Sequence, residues 1–496
     1  MQIRCLSSVF PLLAAFTLAI PLHASSDGSR RDLDANGARI VRAPADRAIV
    51  KALEEITSAH IRTTIESLVS FGNRSTLSSM TTDLPAGKGI NAAADWIEAQ
   101  FNDISKQCGG CLEVKQDTFT EQPMSRIPAA TKITNVYAIL RGSDPAQARR
   151  MYLVTGHYDS RNTDVLDTHK PAPGANDDAS GVAVSIECAR ALTQLRPPAT
   201  VVFVAVAGEE QGLNGSSHLA KLAKAEGWDL EGVLNNDIVG GNTTPGDAGQ
   251  DKSTVRVFSE GIPAADTPQQ AQMLERLGYA SDSPSRELAR AVLEVSQSYR
   301  LPAGSHPLMS HKVSPRSNAD VADFFTATLI FRRDRFLRGG DHSSFNAEGF
   351  PAVRFTEWRE DFNHQHQDLR VERGVQFGDL IQYVDMDYVA NVARLNAAVL
   401  ATLASAPPPP AGVKVVTKNL DNNTTLTWTL DSAATKYEVV WRALDAGEWQ
   451  YAAPAEQFGG DGTATLPISK DNVIFGLRAV DAAGHRSMAV VPLPAQ

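Results

Sequence analysis

The sequence predicts an α/β fold, a mixed and mostly parallel sheet with helices on both faces, followed by a small all-β sandwich. Three observations carry that expectation. Near-continuous apolar runs, such as residues 200–206, alternate with helical patterns; strands covered on both faces by crossover helices read this way. A proline run at 406–411 then interrupts the chain. Beyond it, short stretches alternate apolar and polar residues between turn residues, the pattern of a sandwich with one solvated face per sheet.

The elements follow in order. Arg4 precedes an apolar run over residues 8–22, and Leu22-His23-Ala24 offers a small-residue cleavage site. That layout predicts a secretory signal peptide over 1–24, because the run is short for a bilayer span. Residues 25–46 are polar without sustained period and read as a leader or pro-segment. A globular domain is expected over 47–405. Apolar spacings of three and four predict helix over 49–71 and again over 90–104. Strands are expected at 135–142 and 151–160, a helix at 181–195, and a strand ending in acid at 200–210. A helix at 216–227 and strands at 233–241 and 352–358 complete the alternation, while residues 262–340 read as helical and irregular insertions around the rim. Residues 406–411 form a stiff linker, since consecutive prolines favour an extended conformation. The sandwich occupies 412–496, and its closing strand with the VDAAGHRS tail (480–487) is similar to a fibronectin type III module.

A net charge of −10 argues against nucleic acid or an anionic membrane as the main partner. After residue 22 no segment has the apolar length to span a bilayer. Of the four cysteines, Cys5 falls within the signal. Cys108-Gly-Gly-Cys111 admits a redox or zinc pair, but a small structural disulfide suits an exported chain better, and zinc would need a second pair that the chain lacks. Cys188 falls on an expected helix as a buried, inert thiol. Nothing in the sequence specifies an oligomeric state.

Chemistry gathers where the strands end. Ligands of open α/β sheets bind just outside the carboxyl ends of the strands. There the sequence places His157 and Asp159, Glu209 and Glu210, and Asp237. Asp177 stands in the loop PGANDDASG (173–181), and a histidine-rich segment NHQHQD (363–368) follows the strand at 352–358. Carboxylates so crowded repel one another unless cations fill the cluster. Nitrogen and oxygen donors without thiolate suit zinc best, with manganese or cobalt as alternatives.

With GHYDS, PGANDDASG, AGEEQGLNGS, NNDIVG and HQHQD in that order, the chain resembles the M28 zinc aminopeptidases, secreted bacterial leucyl-type enzymes with two zinc ions, over roughly residues 50–400. The resemblance implies two Zn2+ per chain and a peptide substrate. It implies His157 and Asp237 on the first ion, Glu210 and His364 on the second, and Asp177 bridging both. His366 competes with His364, which is preferred because it stands four residues before Asp368. Asp159 would accept a hydrogen bond from the free ring nitrogen of His157. Glu209 would be the catalytic general base, taking a proton from the activated water and delivering it to the departing amine. Some family members carry an oxyanion-stabilising tyrosine just before the ligand histidine; Asn363 occupies that place here, and Tyr299 is another candidate. A cis peptide between Asp177 and Asp178 is also implied, with Asp178 not a ligand. Arg332, Arg333, Arg335 and Arg338 read as a solvated face or the lining of a substrate pocket, and His342 as a pocket residue. The leading function is N-terminal exopeptidase. A carboxypeptidase, a glutaminyl cyclase, and a binding or receptor protein that kept the fold are the alternatives.

Overall fold

A computed structural model describes Leu33, residues 36–302 and residues 324–495, apart from Asn419 and Thr435. The signal peptide expected at 1–24 lies outside the described residues. The strands up to the proline run are β1 (Ala38–Arg39), β2 (Leu112–Glu121), β3 (Thr131–Leu140), β4 (Arg150–His157), β5 (Thr200–Val206), β6 (Asp229–Asn236), β7 (Thr254–Ser259), β8 (Leu301–Pro302), β9 (Phe324–Ile330) and β10 (Ala352–Thr356). β2 to β10 form one nine-stranded sheet in the order β2-β3-β5-β4-β6-β10-β7-β9-β8. Its centre, β5-β4-β6-β10, is parallel, while β2, β3 and β7 join antiparallel to their inner neighbours. The expected mixed sheet is thus the observed one, with its parallel strands at the centre and antiparallel pairings towards both edges.

Parallel central strands must be covered on both faces, and both are. One face carries the helix Ala179–Leu192, almost wholly buried beneath the helices Met386–Ser405 and Ser58–Ser70. The other face carries the helix Asn214–Ala225 and the short helix His342–Ala347, over a second apolar cluster that includes Val202, Val204, Leu219 and Phe345. Every residue of β4 and β5 is buried, which is why they read as unbroken apolar runs.

Several expectations need correction. The pattern at 49–71 is two helices, Arg47–Leu53 and Ser58–Ser70, because the Thr57 hydroxyl accepts the His60 N–H and restarts the helix. The rim insertion contains β8 and β9 of the main sheet besides the helices Pro268–Arg276 and Pro284–Tyr299. The cysteines, by contrast, are as expected: Cys108 and Cys111 form a disulfide, and Cys188 is a buried free thiol.

The C-terminal part is a sandwich of a four-stranded and a five-stranded sheet packed around Leu426, Val439, Trp441, Leu466 and Leu477. Leader residues take part in it. β1 pairs with Tyr451–Ala452, Leu33 is buried in its core, and the Trp441 indole N–H donates to the Leu33 carbonyl. The sandwich sits against the helix Pro284–Tyr299: Trp449 Nε1 donates to Glu287 at 2.9 Å, Arg478 pairs with Glu294 at 3.2 Å, and Arg442 pairs with Asp282. Ala406, at the head of the proline run, accepts a hydrogen bond from Arg150. Among the described residues no helix is long and apolar enough to cross a membrane.

Candidate metal centre at the strand ends

β4, β5, β6 and β10 run parallel, so their carboxyl ends share one edge of the sheet. β4 ends on His157. β5 leads through Ala207 and Gly208 to Glu209 and Glu210, and β6 leads to Asp237. Asp177 comes from the loop before the helix Ala179–Leu192. That helix lies close against the strand ends because Gly181 has no side chain: a Cβ there would fall 2.2 Å from the Asn236 carbonyl oxygen. Gly174, at φ +51, lets the loop turn beside Ser160.

The expected cis peptide between Asp177 and Asp178 is present. Asp178 is not directed at the cluster; it accepts from the N–H groups of His157, Gly181 and Ile238, tying β4, the helix and the end of β6 together. Among the described residues Asp177 accepts nothing from an arginine or lysine. Its Oδ1 lies 3.1 Å from His157 Nε2, and its Oδ2 lies 3.0 Å from His366 Nε2. One carboxylate therefore faces two histidines on opposite sides. Its backbone N–H, like that of Asn176, donates to Asp379, a buried carboxyl pushed up to about 7 chiefly by burial.

Two donor groups result. His157, Glu209 and Asp237 each offer an atom within 4.8 Å of the others, and so do Asp177, Glu210 and His366. His366 Nε2 is 3.0 Å from Glu210 Oε1. His364, preferred from its spacing to Asp368, belongs to neither group. Its ring stacks on Tyr383 with 3.8 Å between centroids, and its Nδ1 is 3.7 Å from Asp361. The local backbone explains the exchange. The N–H groups of His364 and Gln365 donate to the Asp361 carbonyl, closing a turn, and His366 then adopts φ +56. That left-handed conformation, uncommon outside glycine but more accessible to histidine than to a β-branched residue, swings the second histidine towards the acids. Spacing alone carried no signal of it.

Asp159 also differs in detail. His157 Nδ1 lies 3.1 Å from its backbone oxygen and 3.4 Å from Oδ1. Its carboxylate accepts from the Glu210 N–H and the Thr76 hydroxyl, so it braces the AGEE turn as well as the imidazole. Of the oxyanion candidates, Tyr299 ends a distant helix against Thr402. Asn363 is exposed, and its N–H is spent on Asp361. The side chain preceding His366 is Gln365, whose Nε2 donates to Asp177 Oδ2 at 3.1 Å. His342 is buried, bonds the Arg333 carbonyl, and is pushed down to about 4 by burial.

Sequence reasoning missed Arg354. This fully buried residue of β10 pairs with Asp237 at 2.8 Å and with Asp334 at 3.4 Å. An arginine inside an apolar strand is its only sequence signal.

The electrostatics are one-sided. Burial alone would lower His157 and His366, yet neighbouring carboxylates prevail: His157 stands well above its usual value, and Glu210 and Asp177 push His366 up to about 10. Burial raises Glu209, with the Asp237 and Glu210 charges adding to it against His157. Imidazoles driven up by acids, beside a carboxyl driven up by burial and further by its fellow acids, mark a cleft with more negative charge than its own cations balance. Nitrogen and carboxylate donors in two groups, free of thiolate, fit a pair of zinc ions.

Comparison with known proteins adds the following. The family model described as "Peptidase family M28" matches residues 135–287. A "Probable zinc metalloprotease" of Pyrenophora teres f. teres is 41% identical over 98% of this chain and 96% of its own length. Another, from Pyricularia oryzae, is 42% identical over 98% of this chain and 94% of its own. Both are fungal, whereas the resemblance read from the sequence points to bacterial enzymes. Among solved structures, the LapA aminopeptidase of Legionella pneumophila is 19% identical, covers 73% of this chain and 74% of its own, and superimposes with a TM-score of 0.46.

Proposed function

This chain belongs to peptidase family M28, and from that premise we propose that it is an exported two-zinc exopeptidase removing N-terminal residues from peptides. As a member of the family it is a zinc metallopeptidase; the pair of ions, the aminopeptidase specificity and export are our reading. The single observation that carries the pair is Asp177, whose two oxygens face His157 and His366 from opposite sides.

In this reading His157 and Asp237 would hold one ion and Glu210 and His366 the other, with Asp177 available to both and His366 in the place expected for His364. When bound, such ions acidify a shared water and polarise the scissile carbonyl. The protein's part is positioning and proton handling. Asp159 fixes the imidazole of His157 and the turn that presents Glu209 and Glu210. Glu209 lies within reach of the His157 and Asp237 donors but is less enclosed than either. That suits a carboxylate that takes the water proton and passes it to the leaving nitrogen rather than a ligand. Gln365, directly before the ligand histidine, is the proposed amide donor to the oxyanion. Export rests on the apolar run at 8–22 and on the Cys108–Cys111 disulfide.

The test is a panel of aminoacyl chromogenic amides with N-acetylated controls, with and without chelator. We expect hydrolysis only with a free amine and only with metal. Equal cleavage of the acetylated substrates would reject the aminopeptidase reading.

A further inference from the structure

We propose that the arginine-rich loop 332–338 forms a subsite for a substrate carboxylate beside the metal centre, with Arg338 as its contact. The proposal rests on the exopeptidase reading and names the substrate class that the same cleft prefers.

The first observation is a surplus of cations in a protein whose net charge is −10. Glu360 is shared by Arg256 at 3.0 Å, Arg338 at 3.2 Å and Arg335. Asp334 is shared by Arg335 at 3.1 Å and Arg354 at 3.4 Å. Two carboxylates thus serve four guanidiniums, and only Arg354 has the further partner Asp237. Arg332 and Arg333 are exposed beside them, Arg332 lying 3.8 Å above the Phe336 ring. A solvated face that merely balanced local acids would not leave this excess.

The second observation is position. Arg338 Nη1 lies 3.2 Å from Gln365 Oε1, and Gln365 Nε2 donates to Asp177 Oδ2 at 3.1 Å. A single side chain separates the guanidinium from the carboxylate that faces both histidines.

The third is access. The Arg338 side chain is 30% exposed while its Glu360 partner is 5% exposed, so the cation faces outward from a buried acid. Phe362 and Phe336 stand exposed nearby, the Phe362 ring centroid 5.9 Å from the Arg338 guanidinium. Both polar contacts of the Arg338 side chain among the described residues run through Nη1, which leaves its other guanidinium donors for a ligand. A planar fork with free donors, anchored from behind and flanked by apolar rings, is suited to a carboxylate. That group is either the C-terminal carboxylate of a short peptide or an acidic side chain next to the scissile bond.

The experiment uses the zinc-loaded full chain and two pairs of probes: Leu-Gly against leucyl-glycinamide, and Leu-Glu-amide against Leu-Gln-amide. We expect kcat/KM to favour the acid in at least one pair by about tenfold, the worth of one charge-assisted hydrogen bond. Arg338→Ala should bring that ratio close to one, and Arg338→Lys should keep part of it. The first pair responds if the site reads a chain terminus, the second if it reads a side chain. A structural role for Arg338, acting through Gln365, would lower acid and amide together and leave the ratio standing. Binding of the same probes to zinc-loaded Glu209→Gln reads the discrimination without turnover. No acid preference in either pair, or one that survives Arg338→Ala, overturns the proposal. Failure to hydrolyse any dipeptide would instead reject the exopeptidase reading, and the binding ratio would still decide the subsite.

Discussion

At the strand ends, Asp159, Asp177, Asp178, Glu209, Glu210 and Asp237 crowd together, and the arginine paired to them is Arg354. Where the sandwich meets the helix Pro284–Tyr299, Asp282, Glu287, Glu294 and Glu438 face Arg290, Arg442, Arg478 and Arg486. Both clusters are rich in buried charge, yet only the second is balanced. Its pairs hold two parts of one molecule together. The first has acids in excess, which raise His366 to about 10 and add to the burial that holds Glu209 well above its usual value. Balanced buried charge serves structure here, and unbalanced buried charge marks the place where a cation belongs.

The strongest way to break that contrast is to neutralise one carboxyl in each cluster. Glu209→Gln should lower kcat/KM by about 10²–10⁴-fold, the usual contribution of a general base, while zinc content and melting temperature hold. Unchanged turnover would mean that Glu209 is a bystander. At the docking face, Asp282→Asn strands Arg290 and Arg442 beside Glu287, and it should cost about 3–5 kcal/mol in a urea melt. Adding Arg442→Met should recover part of that loss. If Asp282→Asn proves neutral, the face is not held by its charges.

The two histidines of NHQHQD sharpen the comparison further. Zinc at about a hundredfold above its dissociation constant stabilises a folded protein by about 2.7 kcal/mol. His366→Ala should remove one site's share of the zinc-induced rise in melting temperature. His364→Ala should retain it, because His364 packs on Tyr383 instead of facing the acids. The reverse outcome would restore the assignment that spacing to Asp368 suggests.

That pair of residues also shows where the sequence stops speaking. The central sheet was legible because β4 and β5 are apolar enough to announce burial on both faces, and the acids just beyond β4, β5 and β6 announce the edge that matters. His157, Asp177, Glu209, Glu210 and Asp237 come together from four separate segments as expected. His366 was illegible because a single left-handed residue decides which way it points, and that conformation is set by the Asp361 turn and its packing. Arg354 was illegible because only tertiary contact turns a lone arginine in a strand into the partner of Asp237. The strand β1 escaped notice because a two-residue segment carries no periodicity until Tyr451 and Ala452 pair with it.

Glu260 lies between the two clusters, and it offers the smallest but most discriminating test. It follows β7, its carboxylate accepts the Ala264 N–H, and its backbone oxygen accepts from Ser283 and Arg286 on the docking helix. Burial pushes its carboxyl from an ordinary 4.5 up to about 7, with the Ala264 N–H and Arg333 opposing. Between those values the folded protein holds a proton that the unfolded chain has released, so stability must fall as pH rises through the window and level off above about 7. Glu260→Gln removes the titration. The variant should therefore gain on the wild type by on the order of 1 kcal/mol between about pH 5 and about pH 8, a figure discounted for partial solvation. Urea melts at both pH values measure it, and chelator should not change the difference, because Glu260 belongs to neither donor group. A pH-independent difference would show that Glu260 ionises normally. A chelator-sensitive one would extend the unbalanced region beyond the strand ends and dissolve the contrast between the two clusters.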